Sequence, residues 1–143
     1  MQHTTRHVAQ QLLQQQTTFT VATVDSQGFP TTVALSALPQ QRSLEALFFY
    51  TSRQTMTVQN MRHQSRATIF CFDETTHASL MLKGYLTEVG STQLPVDWVQ
   101  QLTPFQQQLD YQQPIILQFK TLAMKVRPMT TIDHLERLPK TPH

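Results

Sequence analysis

Between Ala46 and Phe72 the chain reads ALFFYTSRQTMTVQNMRHQSRATIFCF. An apolar run dense enough for a buried strand gives way to a hydroxyl-rich turn at Thr51-Ser52-Arg53. An amphipathic segment follows, and then a second apolar run. A helix inserted between two strands in so few residues is restrictive, because the other apolar runs of the chain are separated by short polar turns. Antiparallel strands accept such tight links, whereas parallel strands need long crossovers. The stretch also contains no Asp or Glu, yet it holds Arg53, Arg62, Arg66 and His63. An acid-free, hydroxyl-rich turn opening a helix is a chemically reasonable seat for a phosphate group.

The remaining elements follow from periodicity and punctuation. Thr4 to Gln16 reads as a helix, with Val8, Leu12 and Leu13 at helical spacing. Phe19 to Asp25 alternates, placing Phe19, Val21 and Thr23 on one face. Ser26-Gln27-Gly28 is a turn, and Pro30 opens a second strand, Thr31 to Leu38, so the pair forms a hairpin. Pro39 to Glu45 is a polar loop and Leu47 to Thr51 a third strand. Ser52 can cap the following helix, with Thr55 as a second hydroxyl. Met56, Val58 and Met61 are placed to pack that helix on a sheet.

Ala67 to Phe72 is a fourth strand, residues 73–76 are a turn, and Ala78 to Val89 is a long fifth strand. Gly84 inside the fifth strand points to a bulge or a close backbone approach. Pro95 to Leu109 reads as one or two short helices broken near Pro104, with Trp98 anchoring the insertion to the sheet. Ile115 to Lys120 and Leu122 to Ile132 read as sixth and seventh strands, the latter interrupted by Pro128, and residues 138–143 as a loose tail. This is a mainly β chain, an antiparallel barrel or sandwich with helical additions.

At 143 residues the chain fits one domain. Its apolar fraction of 39% is low for a soluble domain, so part of its apolar surface is expected to lie against a second subunit. A net charge of +2 without any Lys/Arg block neither requires nor excludes nucleic-acid binding. The single Cys71 lies in an apolar run, which excludes an internal disulfide and marks a buried thiol. The six histidines show no metal-ligand spacing, and no P-loop or nucleophile elbow is present. No apolar run approaches the ~20 residues of a membrane span, so the expected location is the cytoplasm.

The order helix, VATVDSQGFPTTVAL, LFFYTSRQTMTVQNMRHQSRATIFCF, LMLKGYLTEV resembles the pyridoxamine 5'-phosphate oxidase-like proteins, the FMN-binding split β-barrels. Three pieces carry the resemblance: the Ala-Thr-Val-Asp strand with its Gly-Phe-Pro turn, Phe49 to Arg53 with the segment ending Asn60-Met61, and the Lys83-Gly84 strand. The resemblance implies an antiparallel split β-barrel that forms a homodimer with FMN at the subunit interface. It places the flavin ring against Thr31, Thr32 and Val33 of the second strand, and the phosphate near the turn after the third. Tyr50 and Thr51 match positions that contact the flavin or its phosphate, and Thr55 matches a phosphate-binding serine. Ser79 matches a position that reaches the cofactor from the partner chain. Ser52, Arg53 and Thr57 complete the expected cofactor set, with Arg53 the best candidate for a phosphate contact; Arg62 and Arg66 are read as solvated or paired with acids.

Four departures accompany the match. Met56 and Thr57 stand where the oxidases or typical members carry bases, and Thr31 and Ser36 stand where the second strand carries Arg and Lys. The Arg-rich C-terminal motif of the true oxidases is also missing, so oxidation of pyridoxamine phosphate is not the expected activity. The expectation is a flavin-dependent oxidoreductase with an unassigned substrate. The alternative is a non-catalytic flavin-binding or stress-related dimer with weakened or lost cofactor binding. A third reading, single-stranded nucleic acid on a barrel face, requires exposed aromatics among basic residues, and the Phe residues sit in apolar runs instead.

Overall fold

A computed structural model describes residues 3–39, 42–90, 98–109, 111–128 and 134–137. The elements in chain order are α1 (His3–Gln15), β1 (Thr18–Val24), β2 (Pro30–Ala37), β3 (Ala46–Ser52), α2 (Met56–His63), β4 (Arg66–Phe72), β5 (Ser79–Glu88), a 3-10 turn (Trp98–Gln101), α3 (Pro104–Gln108), β6 (Pro114–Arg127) and β7 (His134–Arg137). All strand pairs among the described residues are antiparallel, in the order β3-β2-β1-β4-β5-β6-β7, and β3 also pairs with β6. That last pairing closes β1 to β6 into a barrel, with β7 an appendage on β6.

Alternation decides which side chains enter the barrel. Phe19, Val21 and Thr23 of β1 are buried, as the pattern predicts, and so are Leu47 and Phe49 of β3, Ile69 and Cys71 of β4, and Leu80, Leu82 and Leu86 of β5. Phe19 and Phe49 meet edge to face inside, with centroids 5.9 Å apart. α1 seats its apolar stripe, Ala9, Leu12 and Leu13, in the same core. Arg42 satisfies the carbonyls left open where α1 ends: its Nη1 donates to Leu13 O and Gln16 O, and its Nε to Leu38 O at 2.9 Å. Burial lowers the pKa of this guanidinium.

A second apolar cluster lies on the outer face of β3 and β6. Leu38, Tyr50, Val89, Leu102 and Ile116 pack there beneath the segment that carries the 3-10 turn and α3. α3 starts with a capping box: Thr103 Oγ1 accepts from Gln106 N, Gln106 Oε1 accepts from Thr103 N, and Pro104 opens the helix. Gln106 is fully buried, and its Nε2 donates to Ser36 Oγ at 2.7 Å and Ala37 O at 2.9 Å. The insertion is therefore clasped to β2 by one side chain.

Three expectations need correction. Ile115 to Lys120 and Leu122 to Ile132 are not two strands: one 14-residue strand, Pro114–Arg127, runs through both, and the irregularity is a β-bulge. Lys83 pairs with Ala123 and Gly84 with Thr121, which leaves Leu122 without a partner on β5. The helix after β3 is capped by Thr55, not Ser52, because Val58 N donates to Thr55 Oγ1. Met56 then points outward at 60% exposure, and Val58, Met61, Thr57 and Asn60 form the buried side. The Trp98 anchor and the tail at 138–143 lie outside the residues whose side chains or structure are described.

Candidate functional site

The shortest ladder of the barrel, its seam, is the one between β2 and β3. β1 and β2 pair along their whole length, from Thr18↔Ser36 to Val24↔Pro30, and β3 and β6 from Ala46↔Lys120 to Ser52↔Pro114. β2 and β3, by contrast, pair only at Ser36↔Tyr50 and Ala37↔Phe49. The edge of β2 from Thr31 to Leu35 has no strand beside it on that side. Backbone N–H and C=O groups along such an edge are ready donors and acceptors.

α2 packs against β1 and is tied to the β1–β2 hairpin. Asn60 Nδ2 donates to Thr23 Oγ1 at 3.1 Å and to Thr31 Oγ1 at 3.2 Å. Thr31 Oγ1 in turn donates to Thr23 O at 3.3 Å. Thr31 is thus committed to an internal polar trio. Its neighbours differ: Thr32 is exposed on the outer face, and Val33 faces inward in register yet stays 40% exposed because the seam leaves it uncovered.

The turn between β3 and α2 gathers Thr51, Ser52, Arg53, Thr55 and Thr57, but most of its hydroxyls are already engaged. Ser52 Oγ donates to Gln112 O and accepts from Gln54 N. Thr55 Oγ1 donates to Ser52 O at 2.9 Å while capping Val58 N. Thr57 is buried. Thr51 is fully buried, and its Oγ1 has no hydrogen-bond partner, an uncommon state for an interior hydroxyl. The open donors of this turn are the first backbone amides of α2, which precede any intrahelical acceptor.

Arg53 does not hang free over the turn. Its Nε and Nη2 both donate to Glu88 Oε1, at 3.1 and 2.7 Å, and Arg62 Nη2 lies 3.7 Å from Glu88 Oε2. One carboxylate therefore holds a guanidinium from each end of α2. The pairing read for Arg62 is present, whereas Arg66 has no such partner among the described residues. Glu88 was not recognisable as a site residue from sequence, because it lies 35 positions from Arg53 and is brought there only by barrel closure.

Tyr50 lies on the opposite face of β3 from Thr51. It packs against Tyr111 with ring centroids 5.2 Å apart and lines a cavity of about 320 Å³ together with Val99, Gln100, Leu102 and Gln107. Burial, and secondarily Tyr111, raises the pKa of its phenol. Ser79 pairs with Phe72 and Arg127 at the far end of β6 from Ser52. Within one chain the structure therefore brings Thr51, Ser52, Arg53, Thr55 and Thr57 together beside the β2 edge, sets Tyr50 behind them, and leaves Ser79 remote.

Cys71 is chemically quiet. Burial pushes its thiol up to about 12, so the folded protein keeps this proton above the range where an ordinary thiol loses it. The folded pKa is raised, so the stabilisation is complete below the ordinary thiol pKa and is lost as pH climbs from about 9 towards 12. A disulfide exchange reagent at pH 8 is expected to label Cys71 only at the rate of global unfolding. Cys71→Ala should flatten the alkaline decline in melting temperature. Rapid labelling of the native protein would contradict this placement.

A closed antiparallel barrel largely unzipped between β2 and β3, flanked by a capped helix, defines a split β-barrel. The chain belongs to the pyridoxamine 5'-phosphate oxidase family, whose family model matches residues 5–132. No curated protein matches the chain. Among solved structures, a Clostridium acetobutylicum protein related to general stress protein 26 of B. subtilis, of the pyridoxinephosphate oxidase family, superposes with a TM-score of 0.79 at 15% identity, over 96% of this chain and 97% of that one. A heme-binding protein from Mycobacterium smegmatis has a TM-score of 0.77 at 14% identity, over 96% of this chain and 59% of that one. A pyridoxamine 5'-phosphate oxidase-related, FMN-binding protein from Nostoc punctiforme has a TM-score of 0.62 at 13% identity, over 96% of this chain and 94% of that one. At these identities the likeness is one of fold. No helix among the described residues is long and apolar enough to cross a membrane.

Proposed function

We propose that this chain is an FMN-binding split barrel that works as a homodimer and supports flavin-dependent oxidation and reduction of a small molecule. The observation that carries the reading is the unpaired edge of β2 from Thr31 to Leu35. A planar heterocycle with its own donors and acceptors suits such an edge, with Thr32 and Val33 on either face of the strand. The FMN-binding Nostoc protein and family membership support the same choice. Bound there, FMN would supply the electron-transfer chemistry, which agrees with a site that presents no acid–base or nucleophilic constellation. Val33 and Met56 beside the seam, and Phe105 on α3, are exposed apolar side chains suited to burial against a second copy.

The phosphate half of the seat is weaker than the ring half. The amides opening α2 and the Thr57 side are neutral, and the cations that would make charge-assisted contacts are held by Glu88. Because that pair is exposed, it contributes at most about 1 kcal/mol, so releasing it is inexpensive. Glu88→Gln is expected to tighten FMN binding by up to about fivefold. Adding Arg53→Ala to Glu88→Gln should reverse the gain. FMN titration followed by flavin fluorescence and by melting temperature reads both effects. If FMN neither saturates nor stabilises the wild type or Glu88→Gln, the reading is wrong.

The same Glu88 clamp favours a second reading, a dimer that holds flavin loosely without turnover. Reduction of protein-bound flavin by NADH or NADPH separates the two: an oxidoreductase bleaches the flavin absorbance with saturation in the nucleotide, and a passive binder leaves it unchanged.

A further inference from the structure

The wall of the barrel opposite the seam carries a second site. Ala22, Thr68 and Lys83 form one cross-strand row through β1, β4 and β5, and Arg66 and Tyr85 form the next. These residues line a cavity of about 360 Å³, with Val24 and Leu122 at its margins. The cavity is a product of the bulge. With Lys83 opposite Ala123 and Gly84 opposite Thr121, Leu122 has no partner on β5 and stands 44% exposed as a side wall. The small side chain of Ala22 keeps the floor low. Bulges recur where a sheet re-aims a side chain towards a ligand.

The cations of this wall differ from the paired arginines described above. Arg6, Arg53 and Arg62 meet carboxylates, and Arg42 meets carbonyls. The side chains of Arg66 and Lys83 have no hydrogen-bond or ion-pair partner among the described residues, and no acidic side chain lines the cavity between them. Two unspent cations, an exposed tyrosine ring and aliphatic walls together match a small anion with a flat apolar body. The volume lies near the lower end of the ~300–1,000 Å³ of small-molecule pockets, which fits one or two fused rings and excludes a dinucleotide.

We propose that the bulged wall of β4, β5 and β6 binds a small aromatic carboxylate, its ring between Tyr85 and Leu122 and its anion between Arg66 and Lys83. The proposal does not depend on the flavin reading, because the seam lies across the barrel.

2-Naphthoate tests it, with 2-naphthamide as the uncharged counterpart. The chain has three glycines, so the Gly84 amide is an easily assigned reporter in a proton–nitrogen NMR spectrum, and Gly90, beyond the Glu88 end of β5 and outside the cavity lining, is the control. 2-Naphthoate is expected to shift Gly84 saturably and leave Gly90 in place, and the amide to bind about tenfold or more weakly, as loss of charge-assisted contacts requires. Arg66→Met combined with Lys83→Met should weaken 2-naphthoate by a similar factor with an unchanged melting temperature, since both side chains are exposed and unpartnered. The naphthoate–naphthamide comparison on the wild type stands even if the double variant fails to fold. Equal binding of the two compounds, shifts that spare Gly84, or competition with FMN would overturn the proposal. So would a wild-type dimer that leaves 2-naphthoate unbound and that Leu122→Asp separates, since the wall would then belong to a second copy.

Discussion

Gly84→Ala is expected to remove most of the stability of this protein. A Cβ at position 84 would lie 1.9 Å from Lys120 O and 2.9 Å from Lys120 C and Phe119 Cζ. Two of those three atoms are backbone and cannot rotate away, so β5 and β6 must separate where the barrel is most continuous. Overpacking a core costs ~1–3 kcal/mol when side chains can yield; a backbone clash exceeds that, and about 4 kcal/mol or more is expected. Domains have ~5–15 kcal/mol in total. Urea denaturation should show the midpoint collapse, or the variant should be recovered unfolded. Gly28→Ala provides the contrast. Gly28 has φ +86° but nothing within 4 Å of its added Cβ, so its cost is the left-handed strain of ~1–2 kcal/mol. A Gly84→Ala variant no less stable than Gly28→Ala would show that the bulge is not where it is drawn.

Gln106→Ala is expected to cost about 3 kcal/mol. The side chain is fully buried and makes three hydrogen bonds, two outward to Ser36 Oγ and Ala37 O and one back to Thr103 N. Losing them leaves interior polar atoms on β2 without partners, at ~1–3 kcal/mol for each group left unsatisfied. For a chain of this size that corresponds to a fall in melting temperature of roughly 6–12 °C. α3 should also loosen from β2, read as faster amide hydrogen exchange over Pro104–Gln108. A change of a few tenths of a kcal/mol would mean that the clasp is not closed in solution.

The barrel was legible because alternation and turns are local. Phe19, Val21 and Thr23 declared their face before any neighbour was known, and the Gly84 bulge followed from a glycine inside a strand. Errors arose where the deciding partner is distant. Lys120 and Thr121 interrupt the apolar run and look like a break, but the strand continues through them with a bulge at Leu122, opposite Lys83 and Gly84. Ser52 looked like the helix cap, yet its hydroxyl is drawn away by Gln112, 60 residues later, and Thr55 takes the role. Gln106 carried no signal in the sequence, because nothing local says that its amide ends up buried against Ser36. The candidate phosphate turn was found from its acid-free composition, while Glu88, the acid that holds Arg53, arrives from another strand.

β6 contacts β3, β5 and β7 at once, and its pairing with β3 joins segments about sixty residues apart, as Ser52 and Gln112 show. Bringing such distant segments together costs loop entropy before any contact repays it. The hairpin of β1 and β2 and the meander of β4 and β5 can assemble early, but the ring stays open until β6 docks. Until then Leu47 and Phe49 of β3 face water, and the slow closing event, not the formation of hairpins, sets how long this chain is exposed to aggregation.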